Sequence, residues 1–360
     1  MVRGTDARIR LAPIRLAWPD AGDDALAEVA EVLASGQLTM GPKVEEFEAE
    51  LARACDVEHA VALSSGTAAL HLAALALDIG PGDEVVVPAY TFPATANVVA
   101  LVGARPVLVD VDPETMNIDP AKVEVTPRTK AILAVHLFGR PARLEELPDA
   151  VPVIEDAAGA LGARHRGRAC GGLGALACFS FHPRKIVTTG EGGAVTTDDS
   201  ELADGVRALR HHGWSRDDMP SPGFNYRLSD ILCAVGLPQL RRLDELHAAR
   251  VRLAGAYEER LRDLPVVLPR ADDGDLHGWQ AYVIQVEGRD EVLVALRGQG
   301  IEAQIGTYAL HRLGAYANEG SFPGADLAFE RALALPFHSR LDESDLDRVA
   351  EALDKVVSSH

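Results

Sequence analysis

A chain of 360 residues, 47% of them hydrophobic, carries enough apolar side chain to bury a large core, and its length predicts two or three domains. A net charge of -19 excludes an extended nucleic-acid or anionic-membrane surface, since phosphates would be repelled over most of the exterior, and an anionic ligand would need a local positive site. The four cysteines, Cys55, Cys170, Cys178 and Cys233, show no Cys-x-x-Cys spacing and fall mostly in apolar segments, so a reduced, cytoplasmic protein is expected, with neither a disulfide framework nor zinc.

The N-terminal residues 1–8 lack the uninterrupted apolar stretch of a secretory signal, and no segment approaches the length of a membrane span. From about residue 20 to residue 200, helical periodicity alternates with short apolar runs bounded by Gly, Pro and Asp. That alternation predicts an α/β layer fold with a mostly parallel sheet. Seven runs qualify as strands: 60–63, 84–87, 106–109, 131–135, 151–154, 176–180 and 193–196. Helical patterns fill several intervals, notably 66–77 and 94–102, with apolar residues spaced to cover one face. After Arg227 long helices follow, 228–246 and on to 261. Beyond Leu264 a short strand at 281–286, a helix near 290–298 and two further helical patterns predict a smaller α+β unit. The expected division is 1–247 and 248–360. Asp272-Asp-Gly-Asp275 reads as an exposed loop.

Chemistry concentrates where predicted strands end. Ser64-Ser-Gly-Thr-Ala-Ala-Leu70 follows one strand and opens a helix, so Gly66 and Thr67 offer backbone N–H groups to a phosphate; an ordinary Ser/Thr N-cap is the alternative. Pro88-Ala-Tyr-Thr-Phe-Pro-Ala-Thr95 follows the next strand, and Phe92 there could stack on a flat ring. The run 151–154 leads into Glu155-Asp156, which places a carboxylate at the carboxyl end of a buried strand, Asp156 being the inward-facing member. A buried carboxylate there would hold a ring nitrogen protonated; a solvated strand end would read the same.

Lys185 is one of five lysines and the one set between an apolar run and a glycine-rich turn, in Cys178-Phe-Ser-Phe-His-Pro-Arg-Lys185-Ile-Val-Thr-Thr-Gly-Glu-Gly-Gly193. Walled in, its ammonium is disfavoured, and the free amine needed for Schiff-base chemistry becomes accessible near neutral pH. A surface lysine beside a turn is the alternative. Two other patterns lead elsewhere. Gly172-Leu-Gly-Ala-Leu-Ala177 matches a dinucleotide fingerprint but precedes a strand and opens no helix. His211-His212 has no partners at metal-ligand spacing, so a helix-end role is expected and no metal site.

The order Ser-Gly-Thr, Thr-Phe, Glu-Asp, Lys resembles fold-type I pyridoxal-phosphate enzymes, and more narrowly the DegT/DnrJ/EryC1/StrS sugar aminotransferases. The likeness runs from Ser35-Gly-Gln-Leu-Thr-Met-Gly-Pro42 to Leu335-Pro-Phe-His338. It implies a large domain with a mostly parallel seven-stranded sheet between helices, a smaller C-terminal domain, and pyridoxal 5'-phosphate as cofactor. Lys185 would form the Schiff base, Asp156 would pair with the pyridinium nitrogen, and Phe92 would stack on the ring. Gly66, Thr67 and Ser180 would hold the phosphate. Asn225 would reach the neighbouring subunit's cofactor, making a homodimer with shared sites the active unit. His182, Arg227, Tyr308 and His311 are candidates for the substrate side.

Two departures stand out. Gly159 occupies a position where the family usually has Gln or His, and Pro238 interrupts a normally continuous helix, which predicts a kink or a helix start. The implied reaction moves an amino group from glutamate or glutamine to a nucleotide-linked keto sugar. A keto-cyclitol acceptor differs only in the substrate, a sugar dehydratase would carry His at position 185, and a regulator without turnover would need no electron sink.

Overall fold

The computed structural model describes residues 12–215, 217–317 and 320–358; the N-terminal residues 1–8 read for a signal lie outside them. Seven strands form one sheet in the order His59–Leu63, Gly193–Thr197, Leu176–Ser180, Val153–Asp156, Thr129–Val135, Glu84–Pro88, Arg105–Val109. Only Gly193–Thr197 runs against the others, pairing antiparallel with both of its neighbours. The expected mostly parallel sheet is therefore present.

Each strand is apolar on both faces because helices cover both. Val61, Leu63, Leu176, Cys178 and Val195 pack under the helices Gly66–Ala76, Ala94–Leu101 and Ser200–Arg210. Their neighbours Ala60, Ala62, Ala177, Phe179 and Ala194 face Pro42–Ala54 and Asp230–Arg241. Side chains alternate across a strand, so a continuous apolar run feeds two cores, each buried Leu or Phe contributing about 1.5–3 kcal/mol. Helix Pro42–Ala54 begins on Pro42, and the Asp230 carboxylate, nearly two hundred residues downstream, accepts from the N–H groups of Gly41 (2.8 Å) and Lys43 (3.0 Å). That cap fixes one helix on another.

The C-terminal sheet is antiparallel, ordered Tyr282–Gln285, Ala332–Leu335, Gln304–Ile305, and backed by Arg289–Gly298 and Glu343–Val357. Ile14 belongs to this core and bridges to Ile301, so a residue preceding the first helix is built into the last layer. Residue 248 lies inside the helix Leu243–Leu261. Its Leu243 and Leu246 join the first layer's core, and its Ala254, Tyr257 and Leu261 join the second.

Two local expectations are corrected and a third holds in part. Of the kink or helix start expected at Pro238, the helix start is absent: Asp230–Arg241 runs through it, and the break comes at Arg242, between that helix and the next. The 272–275 segment is the expected loop, exposed at Asp273 and Gly274, but its ends are tied down: Asp272 pairs with Arg140 at 2.5 Å and Asp275 with His165 at 2.8 Å. The strand expected at 151–154 spans Val153–Asp156, so Glu155 and Asp156 lie within it and both are buried, which removes the solvated-end reading. His211 caps the C-terminus of Ser200–Arg210, a helix-end position. All four cysteines are free and buried. Among the described residues no helix is long and apolar enough to cross a membrane.

Candidate active site

The strand Glu84–Pro88 lies between Arg105–Val109 and Thr129–Val135, so the chain leaves it toward one sheet edge and later returns toward the other. Crevices form at the carboxyl ends of strands beside such a switch point. Gly66, Phe92, Asp156 and Ser180 all lie at or just after the carboxyl end of a strand on this edge of the sheet, where Gly193 opens the antiparallel strand.

Lys185 sits in a tight loop between two strands. Its N–H donates to His182 O (2.8 Å), Phe181 N donates to Gly192 O (2.8 Å), and Thr189 N donates to Phe181 O (3.0 Å). The wholly buried Gln239 holds the loop from below: its Oε1 accepts from Thr188 N (2.9 Å) and its Nε2 donates to Thr188 O (2.7 Å). The Lys185 amine makes no hydrogen bond or ion pair among the described residues. Burial lowers its pKa from the ordinary lysine value against the opposing charge of Asp156, and Arg184 lowers it further. An uncharged amine is the form that can act as nucleophile or base.

Asp156 faces that amine. Burial raises its carboxyl above the ordinary aspartate value, opposed by Thr95, Ala158 and the charge of Lys185. Thr95 Oγ1 donates to Asp156 Oδ2 (2.8 Å), and Ala158 N donates to Oδ1 (3.2 Å). Thr95 is fully buried and its hydroxyl also meets Thr91 Oγ1 at 3.2 Å, so a polar chain enters the site from the strand Tyr90–Thr91. The sequence reading singled out Phe92 from this segment and passed over Thr95; the signal was a hydroxyl in the first turn of the helix following the aromatic.

Glu155 points to the opposite face. Burial would raise its pKa, yet His136 and the N–H groups of Gly171 and Gly174 outweigh burial and hold it below the ordinary glutamate value. Its Oε2 accepts from Gly171 N (2.8 Å) and its Oε1 from Leu173 N and Gly174 N (both 2.7 Å). Ala142 N donates to His136 Nδ1 (2.8 Å), leaving the ring proton on Nε2, 2.9 Å from Glu155 Oε2. The glycine run that mimics a dinucleotide fingerprint thus cradles the protein's own carboxylate.

Ser65 caps helix Gly66–Ala76 by accepting from Ala68 N (3.0 Å). The cap leaves the Gly66 and Thr67 N–H groups with no acceptor among the described residues, beside Ser180. A Cβ on Gly66 would lie 2.8 Å from Ser180 Cβ, and one on Gly193 only 2.3 Å from Ser65 C and O, so glycine at both positions lets the helix terminus approach the strand ends. Phe92 is 61% exposed, and its ring lies 6.3 Å from that of Tyr308 between centroids. A free amine, a buried carboxylate facing it, unpaired N–H donors at a helix terminus and an uncovered aromatic fit pyridoxal phosphate. The match is one of chemistry as well as position.

Residues 19–354 match the DegT/DnrJ/EryC1/StrS aminotransferase family. The chain belongs to that family. GDP-perosamine synthase of Caulobacter vibrioides is 44% identical over 341 residues, covering 89% of this chain and 91% of that protein. The crystal structure of S. venezuelae DesV shares the fold with a TM-score of 0.91 at 37% identity, covering 96% of this chain and 98% of that one. The structure of DesI, obtained in the presence of its TDP-sugar product, gives a TM-score of 0.91 at 34% identity and covers 97% and 94%. As a member of the DegT/DnrJ/EryC1/StrS family the protein is an aminotransferase, and pyridoxal phosphate is its cofactor.

The remaining residues are less uniformly placed in this aminotransferase. Asn225 is exposed, next to Tyr226, whose carbonyl accepts from Ser64 N (2.8 Å) beside the turn at Gly66 and Thr67. Arg227 Nη1 lies 2.7 Å from His211 Nδ1. His182 is exposed in the Lys185 loop, and Tyr308 pairs with Thr91 and touches Phe92. His311 is turned to Asp326, 2.9 Å from its Nε2. The space a side chain at Gly159 would fill is taken by Gln280, whose side-chain atoms come within 3.3–3.4 Å of an added Cβ. Gln280 Nε2 also reaches Arg184 O (3.4 Å), beside Lys185.

Proposed function

We propose that this aminotransferase transfers an amino group from glutamate or glutamine to a keto sugar carried on a nucleotide. The observation that carries the reading is the Lys185 amine, unpaired and tilted toward neutrality, facing a buried Asp156 across the strand ends. The sugar acceptor is supported by the GDP-perosamine synthase relative and by the DesI structure with its TDP-sugar product.

When bound, the cofactor supplies the aldehyde that accepts the amino group and the ring that spreads the electron pair of the breaking C–H bond. The Lys185 amine takes the proton from the donor's α-carbon and returns it on the other side of the transfer. Asp156, oriented by Thr95 and Ala158, stays anionic against the ring nitrogen and keeps that nitrogen protonated. The N–H groups of Gly66 and Thr67 and the Ser180 hydroxyl hold the phosphate, and Phe92 covers one face of the ring. Asn225 acts across a homodimer interface, so each subunit completes its partner's site.

The test is optical and chemical. Purified protein is expected to be yellow and to lose that absorbance in Lys185→Ala, with turnover falling roughly 10²–10⁴-fold. Glutamate should shift the wild-type spectrum to the amine form of the cofactor. Nucleotide-linked keto sugars should restore the original spectrum and free keto-cyclitols should not. A coloured protein indifferent to glutamate and glutamine would sink the proposal.

A further inference from the structure

A cavity of about 530 Å³ opens beside Lys185, between helix Leu243–Leu261, residues 18–20 and the loop 338–343. Arg250 lines it and has no carboxylate partner. Its Nη1 is fully engaged, donating to Trp279 O (2.8 Å) and Gln280 O (3.1 Å). Nε and Nη2 donate to no acceptor among the described residues, and neither is sealed from the cavity. The Phe337 ring supports the guanidinium from one side, 5.6 Å from Cζ. Burial pulls the group down to about 10, so it remains charged at neutral pH.

The nearest anion is already taken. Asp20, whose charge reaches Arg250, accepts from Arg242 Nη2 (2.8 Å) and Ser339 Oγ (3.0 Å). What remains is a desolvated guanidinium, fixed through one nitrogen, presenting the parallel Nε–H and Nη2–H pair that grips a carboxylate with two hydrogen bonds. Hydrogen bonds join it to the backbone next to Lys185: Arg250 holds the Gln280 carbonyl, Gln280 Nε2 reaches Arg184 O, and Arg184 precedes Lys185.

We infer that Arg250 binds a carboxylate of the amino donor in the cavity beside Lys185. The inference rests on the aminotransferase reading and adds the residue that selects an amino acid. A single planar fork suits one carboxylate. The carboxylates of Asp20, Glu245, Asp342 and Glu343 on the same lining oppose a more highly charged diphosphate, which directs the nucleotide part of the acceptor elsewhere. Arg252 also lines the cavity but is exposed, so its charge is screened by water.

The experiment compares wild type, Arg250→Lys and Arg250→Gln as holoenzymes in separate half-reactions, with glutarate as an unreactive dicarboxylate probe. Arg250→Gln should raise the KM for glutamate about tenfold to a hundredfold, the effect of losing charge-assisted hydrogen bonds. Arg250→Lys, which keeps charge and loses the fork, should fall between. The KM for a nucleotide-linked keto sugar, measured from the amine form, should change less than about twofold, a difference too small for a lost charged contact. Calorimetry should show glutarate binding to wild type and not to Arg250→Gln. Equal losses in both half-reactions, a loss confined to the sugar, or unchanged glutarate binding would each overturn the assignment. Glutarate binding does not depend on turnover, so failure of the aminotransferase reading would show separately, as a wild type that binds glutarate yet ignores glutamate.

Discussion

The chemistry of this site turns on drawing Lys185 toward its uncharged form while Asp156 keeps its negative charge. Burial pushes Lys185 toward the free amine and Asp156 toward the acid, and their mutual attraction opposes both shifts. Thr95 works against the burial shift at Asp156. Its hydroxyl donates to the carboxylate, stabilising the anion that burial destabilises. Replacing Thr95 by Val keeps the shape and deletes the donor, so the Asp156 pKa should rise further. The acid limb of the rate profile for the donor half-reaction should then move to higher pH, and cofactor affinity should drop about tenfold, with Thr95→Ser restoring both. An acid limb that stays in place in Thr95→Val would show that the hydroxyl has no such influence.

Glu155 and Asp156 are adjacent in one strand, and the alternation of its side chains gives them opposite tasks. Asp156 enters the cleft; Glu155 fastens the loop 171–174 and His136 on the far face. Glu155→Gln brings an amide N–H₂ toward a ring of donors, and the loss of this buried anion should destabilise the protein by about 3–5 kcal/mol in urea unfolding at neutral pH. Because the folded Glu155 carboxyl lies below its ordinary value of 4.5, its contribution is present above that value and is lost as pH falls through the folded pKa. The gap between variant and wild type should therefore narrow in acid. A gap independent of pH would mean that ionisation of Glu155 contributes nothing.

At the scale of the whole molecule, the exposed Phe92 and the exposed Asn225 are the features on which the proposed dimer can be tested. A dimer should elute at about twice the 38.4 kDa chain mass. Mixing inactive Lys185→Ala with inactive Asn225→Ala and allowing subunits to exchange should restore activity, because each mixed dimer regains one site with both residues intact. If the mixture stayed inactive while mixed dimers were shown to form, Asn225 would act within its own subunit.

The sequence by itself determined the reaction class through its likeness to a known family, because the stretches that carry the likeness are short and local. Ser65-Gly-Thr67, Phe92, Asp156 and Lys185 could be singled out for that reason. Tertiary structure alone decided which neighbours act on them. Gln239 under the lysine loop, Gln280 in the space beside Gly159 and Arg250 beside the amine come from segments fifty or more residues downstream. A side chain's partner across such a separation is set by how helices and sheets pack, and packing leaves no periodic trace along the chain.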